Sequence, residues 1–143
     1  MYESLNAVSA AVMQERFGHD NLFALATVDE TGATHVRTVN GYYENGSIYV
    51  VTNACSGKMK QLSRDSRCAV AGDWFTANGQ GENLGWICLP EHKALADRIR
   101  AAFTEWYANG HTDESDENTV ILRIRLTDGI LFHHGTRYEI LFS

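Results

Sequence analysis

Residues 35–60 read His35-Val-Arg-Thr-Val-Asn-Gly-Tyr-Tyr-Glu-Asn-Gly-Ser-Ile-Tyr-Val-Val-Thr-Asn-Ala-Cys-Ser-Gly-Lys-Met-Lys60. Two runs rich in β-branched and aromatic residues flank Asn45-Gly46, a pair that favours a type I′ turn because both residues tolerate positive φ. The stretch therefore predicts an extended segment from Ala33 to Tyr43, a tight hairpin, and a second strand over Ser47–Thr52. Upstream, Leu22 to Val28 is apolar on both faces and too short for a typical core helix, and Asp29-Glu-Thr-Gly32 joins it to the next strand. A three-stranded meander results.

Working outward, residues 56–63 read as a short helix capped by Ser56, and Arg67–Trp74 and Thr76–Trp86 as extended chain. Pro90 suits the first turn of a second helix with the apolar stripe Leu95, Ile99, Ala102, Phe103 and Trp106, ending near Asn109-Gly110. At the other end, Glu3–Phe17 predicts a helix with Leu5, Val8, Val12, Met13 and Phe17 on one face and Gly18 as a left-handed stop. Val120, Leu122, Ile124 and Leu126 alternate with Arg123 and Arg125, the pattern of a strand with one buried and one wet face. Asp128-Gly129 and His134-Gly135 then punctuate two further strands, Ile130–His133 and Arg137–Phe142. Hairpins dominate, and strands do not alternate with crossover helices as a parallel sheet requires. The expected fold is mainly β, α+β in class, a small antiparallel barrel decorated by helices and forming one domain over residues 1–143.

Composition bounds the function. The 143 residues are 44% hydrophobic and 21% charged, as in a folded globule. Twelve Lys and Arg against eighteen Asp and Glu leave a net charge of −6, which disfavours nucleic acid as a partner. No apolar run approaches the roughly 18 residues of a membrane span, and the first residues lack a secretory pattern, so a cytoplasmic protein without membrane association is expected. Cys55, Cys68 and Cys88 have no C-x-x-C spacing, and adjacent His133 and His134 would point to opposite strand faces, so no metal is expected. The polar loop His111–Asn118, with Asp113, Glu114, Asp116 and Glu117, reads as a solvated segment.

The acidity is unevenly spread. Residues 31–72 hold five basic and two acidic side chains, a local charge of +3, and the remainder carries −9. Arg37 interrupts an apolar strand, and Ser56-Gly57-Lys58 sits where a strand passes into a helix. These are parts of an anion site: a planar fork, a point charge, a hydroxyl and a helix N-terminus. The same residues also suit a plain role, with Arg37, Lys58 and Lys60 solvated and Ser56 only a cap.

The order Arg37-Thr38-Val39, hairpin, Val51-Thr52-Asn53, then Ser56-Gly57-Lys58-x-x-x-Leu62 and an Arg67-led strand resembles the flavin-binding split-barrel family related to pyridoxamine 5′-phosphate oxidase. The likeness is carried by residues 3–90 and by layout beyond. It implies a six-stranded antiparallel split β-barrel with flanking helices, a homodimer, and FMN between the subunits. Carried onto matching positions, Arg37 and Lys58 would hold the FMN phosphate with Thr52, Ser56 and Gly57 around it. Val51 would lie beside Thr52, while Thr38, Val39 and Asn40 would run along the isoalloxazine ring. Residues 73–86 resemble a small, stress-related branch of the family, in which Trp74 would stack on the partner's flavin. The basic residue that members acting on pyridoxamine phosphate carry five positions after the motif arginine is here Tyr42, and their C-terminal Arg-x-His has no counterpart. The resemblance thus implies an FMN-dependent oxidoreductase acting on a small substrate, not vitamin B6 oxidation. A non-catalytic flavin carrier or sensor, or the same barrel holding deazaflavin or haem, stands as the alternative. No catalytic residue is assigned: His35, Tyr42 and Tyr43 are near in sequence, but a strand tyrosine more commonly packs.

Overall fold

The computed structural model describes residues 2–107 and 112–142. In chain order the elements are β1 (Glu3–Ser4), α1 (Ala7–Phe17), β2 (Asn21–Val28), β3 (Thr34–Glu44), β4 (Ser47–Asn53), α2 (Gly57–Arg64), β5 (Arg67–Gly72), β6 (Phe75–Trp86), α3 (Lys93–Ala102), α4 (Thr104–Tyr107), β7 (Thr119–His133) and β8 (Thr136–Leu141). The sheet runs β1-β8-β7-β4-β3-β2-β5-β6, and β6 pairs again with β7. That second pairing closes six antiparallel strands into a barrel, the split-barrel fold, with β8 and a parallel β1 as an outer extension.

Alternation divides the strands between two cores. Inside the barrel, Phe23, Leu25, Val39, Tyr43, Ile48 and Val70 meet the β7 residues Leu122, Ile124, Leu126 and Leu131. The α1 face closes one end, where Phe17 lies 5.3 Å from Phe23 and 5.2 Å from Phe75 between ring centroids. Met59 and Leu62 of α2 enter the same core at the other end, near Gly81. On the outer face of β3, β4 and β7, Tyr42, Tyr49 and Ile121 form a second cluster with Ile87 and with Ala96, Ile99 and Phe103 of the α3 segment.

Several local expectations are corrected. The first helix begins at Ala7 because the Asn6 carboxamide oxygen accepts from the amides of Val8 and Ser9, both at 3.0 Å. Its inward face is Ser9, Val12, Met13 and Phe17, while Val8 is exposed. Gly18 has φ −76°, not left-handed, and is required by close approach to Gln14 instead. Strand β5 stops at Gly72, and Trp74 takes φ +52° in the turn. Pro90 opens a short 3-10 turn before α3, and a break at Phe103 separates α4; the expected helix end at 109–110 lies outside the described residues. Asp128-Gly129 does not interrupt β7, since Gly129 admits the carbonyl of Thr76 against the strand. The Asn45-Gly46 turn is as expected, with φ of +47° and +85°.

One departure from regularity positions the site. Strand β3 pairs with β4 only at Tyr42–Glu44, whereas the other edge of β4 pairs with β7 along its whole length, from Ser47 to Asn53. The β4-facing edge of β3 from Thr34 to Gly41 has no ladder partner among the described residues. The barrel splays there, and unpaired backbone donors and acceptors face the gap.

Gly41 lies beside that splay, and a Cβ on it would come within 2.7 Å of both Ile48 Cγ2 and the Phe23 ring. Gly41→Ala is expected to destabilise the protein by about 1–3 kcal/mol through overpacking, read from its urea unfolding midpoint at constant m-value.

Candidate functional site

Arg37 shares the inward orientation of Val39 and Tyr43 but sits beyond the core, so its guanidinium emerges at the α2 end of the barrel. There Nη1 donates to Thr27 Oγ1 at 2.6 Å and to the Leu25 carbonyl at 3.2 Å, and Nη2 donates to Gln61 Oε1 at 3.1 Å. Burial lowers its pKa from the ordinary arginine value. Lys58, in the first turn of α2, is held below the ordinary lysine range first by burial and then by the positive charge of Arg37. Neither cation forms an ion pair with a carboxylate among the described residues.

Ser56 occupies the N-cap position of α2 with extended backbone, yet its hydroxyl makes no cap hydrogen bond. Its oxygen is buried without a partner among the described residues. The expected cap is therefore corrected: the orphan hydroxyl stands at a helix N-terminus, two residues before Lys58, whose charge lies near that of Arg37. Buried polar groups are nearly always satisfied, and each unsatisfied one costs about 1–3 kcal/mol. Gly57 has open space where a Cβ would lie. A hydroxyl donor, free helix amides and two uncompensated positive charges together can receive a compact anion such as a phosphate.

The other expected site residues are distributed as follows. Thr52 is the last residue but one of β4, half-buried and close in sequence to the anion site. Val39 points into the barrel core and Val51 packs against the outer cluster, so only their backbones are open to a ligand. Thr38 is exposed on the splayed edge. Asn40 donates to Asp20 Oδ1 at 3.0 Å, and Asp20 Oδ2 accepts from Trp106 Nε1 at 2.8 Å, which commits that amide. Trp74 is set apart from this group. Leu25 aligns with both Arg37 and Val70, placing Trp74 four residues, or about 13 Å, further along the barrel at its α1 end. Thr27 and Gln61 were not anticipated. Thr27 is the lone hydroxyl among the inward residues Phe23 and Leu25, and Gln61 follows Lys58 by three residues on one helix face, the two signals available in the sequence.

The acidic segment after α4 is more than a solvated loop. Glu114 accepts two hydrogen bonds from Arg100 at 2.8 Å each and one from the Tyr107 hydroxyl, tying the segment to the helices. His133 receives a hydrogen bond from Arg16 at 3.0 Å, and the described residues contain no cluster of three or more potential metal ligands.

The sequence profile of the family described as pyridoxamine 5′-phosphate oxidase matches residues 10–132. The chain belongs to that family. Among solved structures, a FAD-binding protein from Mesorhizobium loti has a TM-score of 0.65 at 16% identity, covering 89% of this chain and 94% of its own. General Stress Protein 26 from Bacillus anthracis gives 0.62 at 15%, covering 82% and 88%. A heme-binding protein from Mycobacterium smegmatis gives 0.61 at 14%, covering 85% and 53%. At such identities these likenesses establish the fold. None of the curated proteins matches the chain. Tyr42 is buried against the α3 segment, its hydroxyl donates to Glu44 at 3.3 Å, and Glu44 is clasped by Arg98 at 2.6 and 3.0 Å.

The depressed Lys58 has a thermodynamic consequence. The unfolded chain binds the Lys58 proton more tightly than the folded one, so its contribution to stability rises with pH from the lowered folded pKa up to the ordinary value of 10.5. Lys58→Met is expected to unfold at higher urea than wild type at pH 7 without added anion, and to lose that pH slope. A variant less stable than wild type would contradict the electrostatic account.

Proposed function

We propose that this chain is an FMN-binding oxidoreductase working as a homodimer, with the phosphate at Ser56, Gly57, Lys58 and Arg37 and the isoalloxazine ring along the splayed edge of β3 at Thr38–Asn40. The observation that carries the reading is the buried Ser56 hydroxyl, partnerless among the described residues and two positions before Lys58, whose charge faces that of Arg37 and no carboxylate among those residues. Two positive charges match a terminal phosphate dianion better than the single charge of a phosphodiester, which favours FMN over a phosphodiester-linked deazaflavin. The family membership and the FAD-binding Mesorhizobium loti neighbour support a flavin in general. A bound flavin would supply the redox chemistry, exchanging a hydride or electrons with a small substrate. The protein's share is to anchor the phosphate, hydrogen-bond the ring's polar edge through unpaired backbone, and shape access. Tyr42 in place of a cation, sealed beneath α3, argues against a second phosphate on the substrate. A cytoplasmic location belongs to the same reading.

The dimer rests on the outer faces of β2, β3 and β5. Leu22 and Val36 are 65% and 70% exposed there, and Ala24, Ala26, Ala69 and Ala71 line a shallow cavity of about 310 Å³. A second copy of the chain would cover this apolar face. Trp74, 71% exposed and edge-on to Phe132 at 6.2 Å, is then available only to the partner's ring.

The purified protein is expected to be yellow with a flavin spectrum, or to bind added FMN with fluorescence quenching; a haem band, or no binding, overturns the assignment. Arg37→Ala and Lys58→Ala should each weaken FMN by about 10–100-fold, the cost of removing a positive charge near the phosphate, and leave riboflavin within a few-fold. Ala26→Glu, which places a carboxylate in the apolar trough, should convert the dimer to a monomer by light scattering and lower FMN affinity in parallel.

A further inference from the structure

Three polar side chains at the α2 end of the barrel form a closed ring, and donor chemistry dictates its direction. Arg37 can only donate, so Thr27 Oγ1 accepts from it at 2.6 Å, and the single Thr27 proton must go elsewhere. It goes to Gln61 Oε1 at 2.5 Å, an oxygen that also accepts from Arg37 Nη2 at 3.1 Å. The Gln61 carboxamide therefore cannot be flipped: its oxygen serves two donors, and its amino group faces away from both. That amino group has no partner among the described residues. Gln61 follows Gly57 by four residues and Lys58 by three, which puts all three on one face of α2. Thr27 is 1% exposed and anchors the ring in β2.

Resting on the phosphate reading above, we infer that Gln61 is a further ligand of the bound phosphate, donating through its amino group, and that buried Thr27 is a positioning residue that sets the carboxamide's orientation. Arg37 has a changed role in consequence. Four of its hydrogen bonds are spent on Leu25, Thr27, His35 and Gln61, so it braces α2 against β2 and contributes field and at most its remaining donors, while Lys58, Ser56 and Gln61 make the direct contacts. The clasp joins residues 24 to 34 positions apart, which ties the helix N-terminus to the barrel wall before any ligand arrives.

The ratio of riboflavin to FMN dissociation constants tests this, because a purely structural role lowers stability without altering the ratio. Thr27→Val, which is close to isosteric, should lower the ratio about 3–10-fold by freeing the carboxamide to rotate. Thr27→Ser should restore it. Gln61→Leu should lower the ratio about 10–100-fold, and Gln61→Glu, which can still accept from Arg37 and Thr27 and so holds α2 in place, should lower it further through repulsion. Thr27→Val and Gln61→Leu proteins that melt earlier but keep the wild-type ratio, beside a Lys58→Ala protein whose ratio collapses, overturn this inference alone. A wild-type ratio near one overturns the phosphate reading itself.

Discussion

Two cations held together without a counter-ion among the described residues are the constraint around which this end of the molecule is organised. Arg37 and Lys58 repel, and both are partly desolvated, so leaving them adjacent is tolerable only where the surrounding structure fixes their positions. The closed barrel does so from one side by sending Arg37 out of an inward-facing row. Helix α2 does so from the other, anchored by Met59 and Leu62 in the barrel core and by the Thr27–Gln61 clasp at its polar face. Local strain of this kind is typical of a preorganised binding site, whose donors are costly until an anion meets them.

The splay between β3 and β4 supplies the second half of the site by the same logic. The hairpin ladder stops at Tyr42 opposite Tyr49, and beyond it Val50–Asn53 of β4 pair with β7 alone, on the strand's other edge. The opposite flank of β3 keeps its eight pairs with β2 and is held rigid, so its open edge is a fixed row of backbone groups rather than a frayed strand. An edge of this kind can recognise a flat heteroaromatic ring through backbone groups alone, and Val39 on it spends its side chain on packing.

The outer layer accounts for the setting of Tyr42. Helix α3 covers that face with Ala96, Ile99 and Phe103, buries Tyr42, and pins it through Arg98 and Glu44. Glu114 ties the following segment to Arg100 and Tyr107. What reads in sequence as a solvating acidic run is in part the fastening of this layer.

Much of the fold was legible without coordinates. The meander over residues 22–52 rests on short-range chemistry: Asn45-Gly46 accepts two positive φ angles, and apolar runs too short for helices extend. The misreadings arose where distant chain overrides local punctuation, as at Gly129, which looks like a turn and is a point of close strand approach, and at Ser56, whose residue type signals a cap while its hydroxyl makes none. Arg37, Ser56 and Lys58 could be nominated from residue type and their place at a strand-to-helix junction. That Thr27 and Gln61 complete the cluster, and that Trp74 lies at the far end, depended on registers between strands and on where α2 docks. The sequence by itself determined the turns, the alternation and the local basic charge, because these are properties of neighbours in the chain. The tertiary structure alone decided which polar groups confront one another and which are left unpaired, because barrel closure brings together residues whose relation no local pattern encodes.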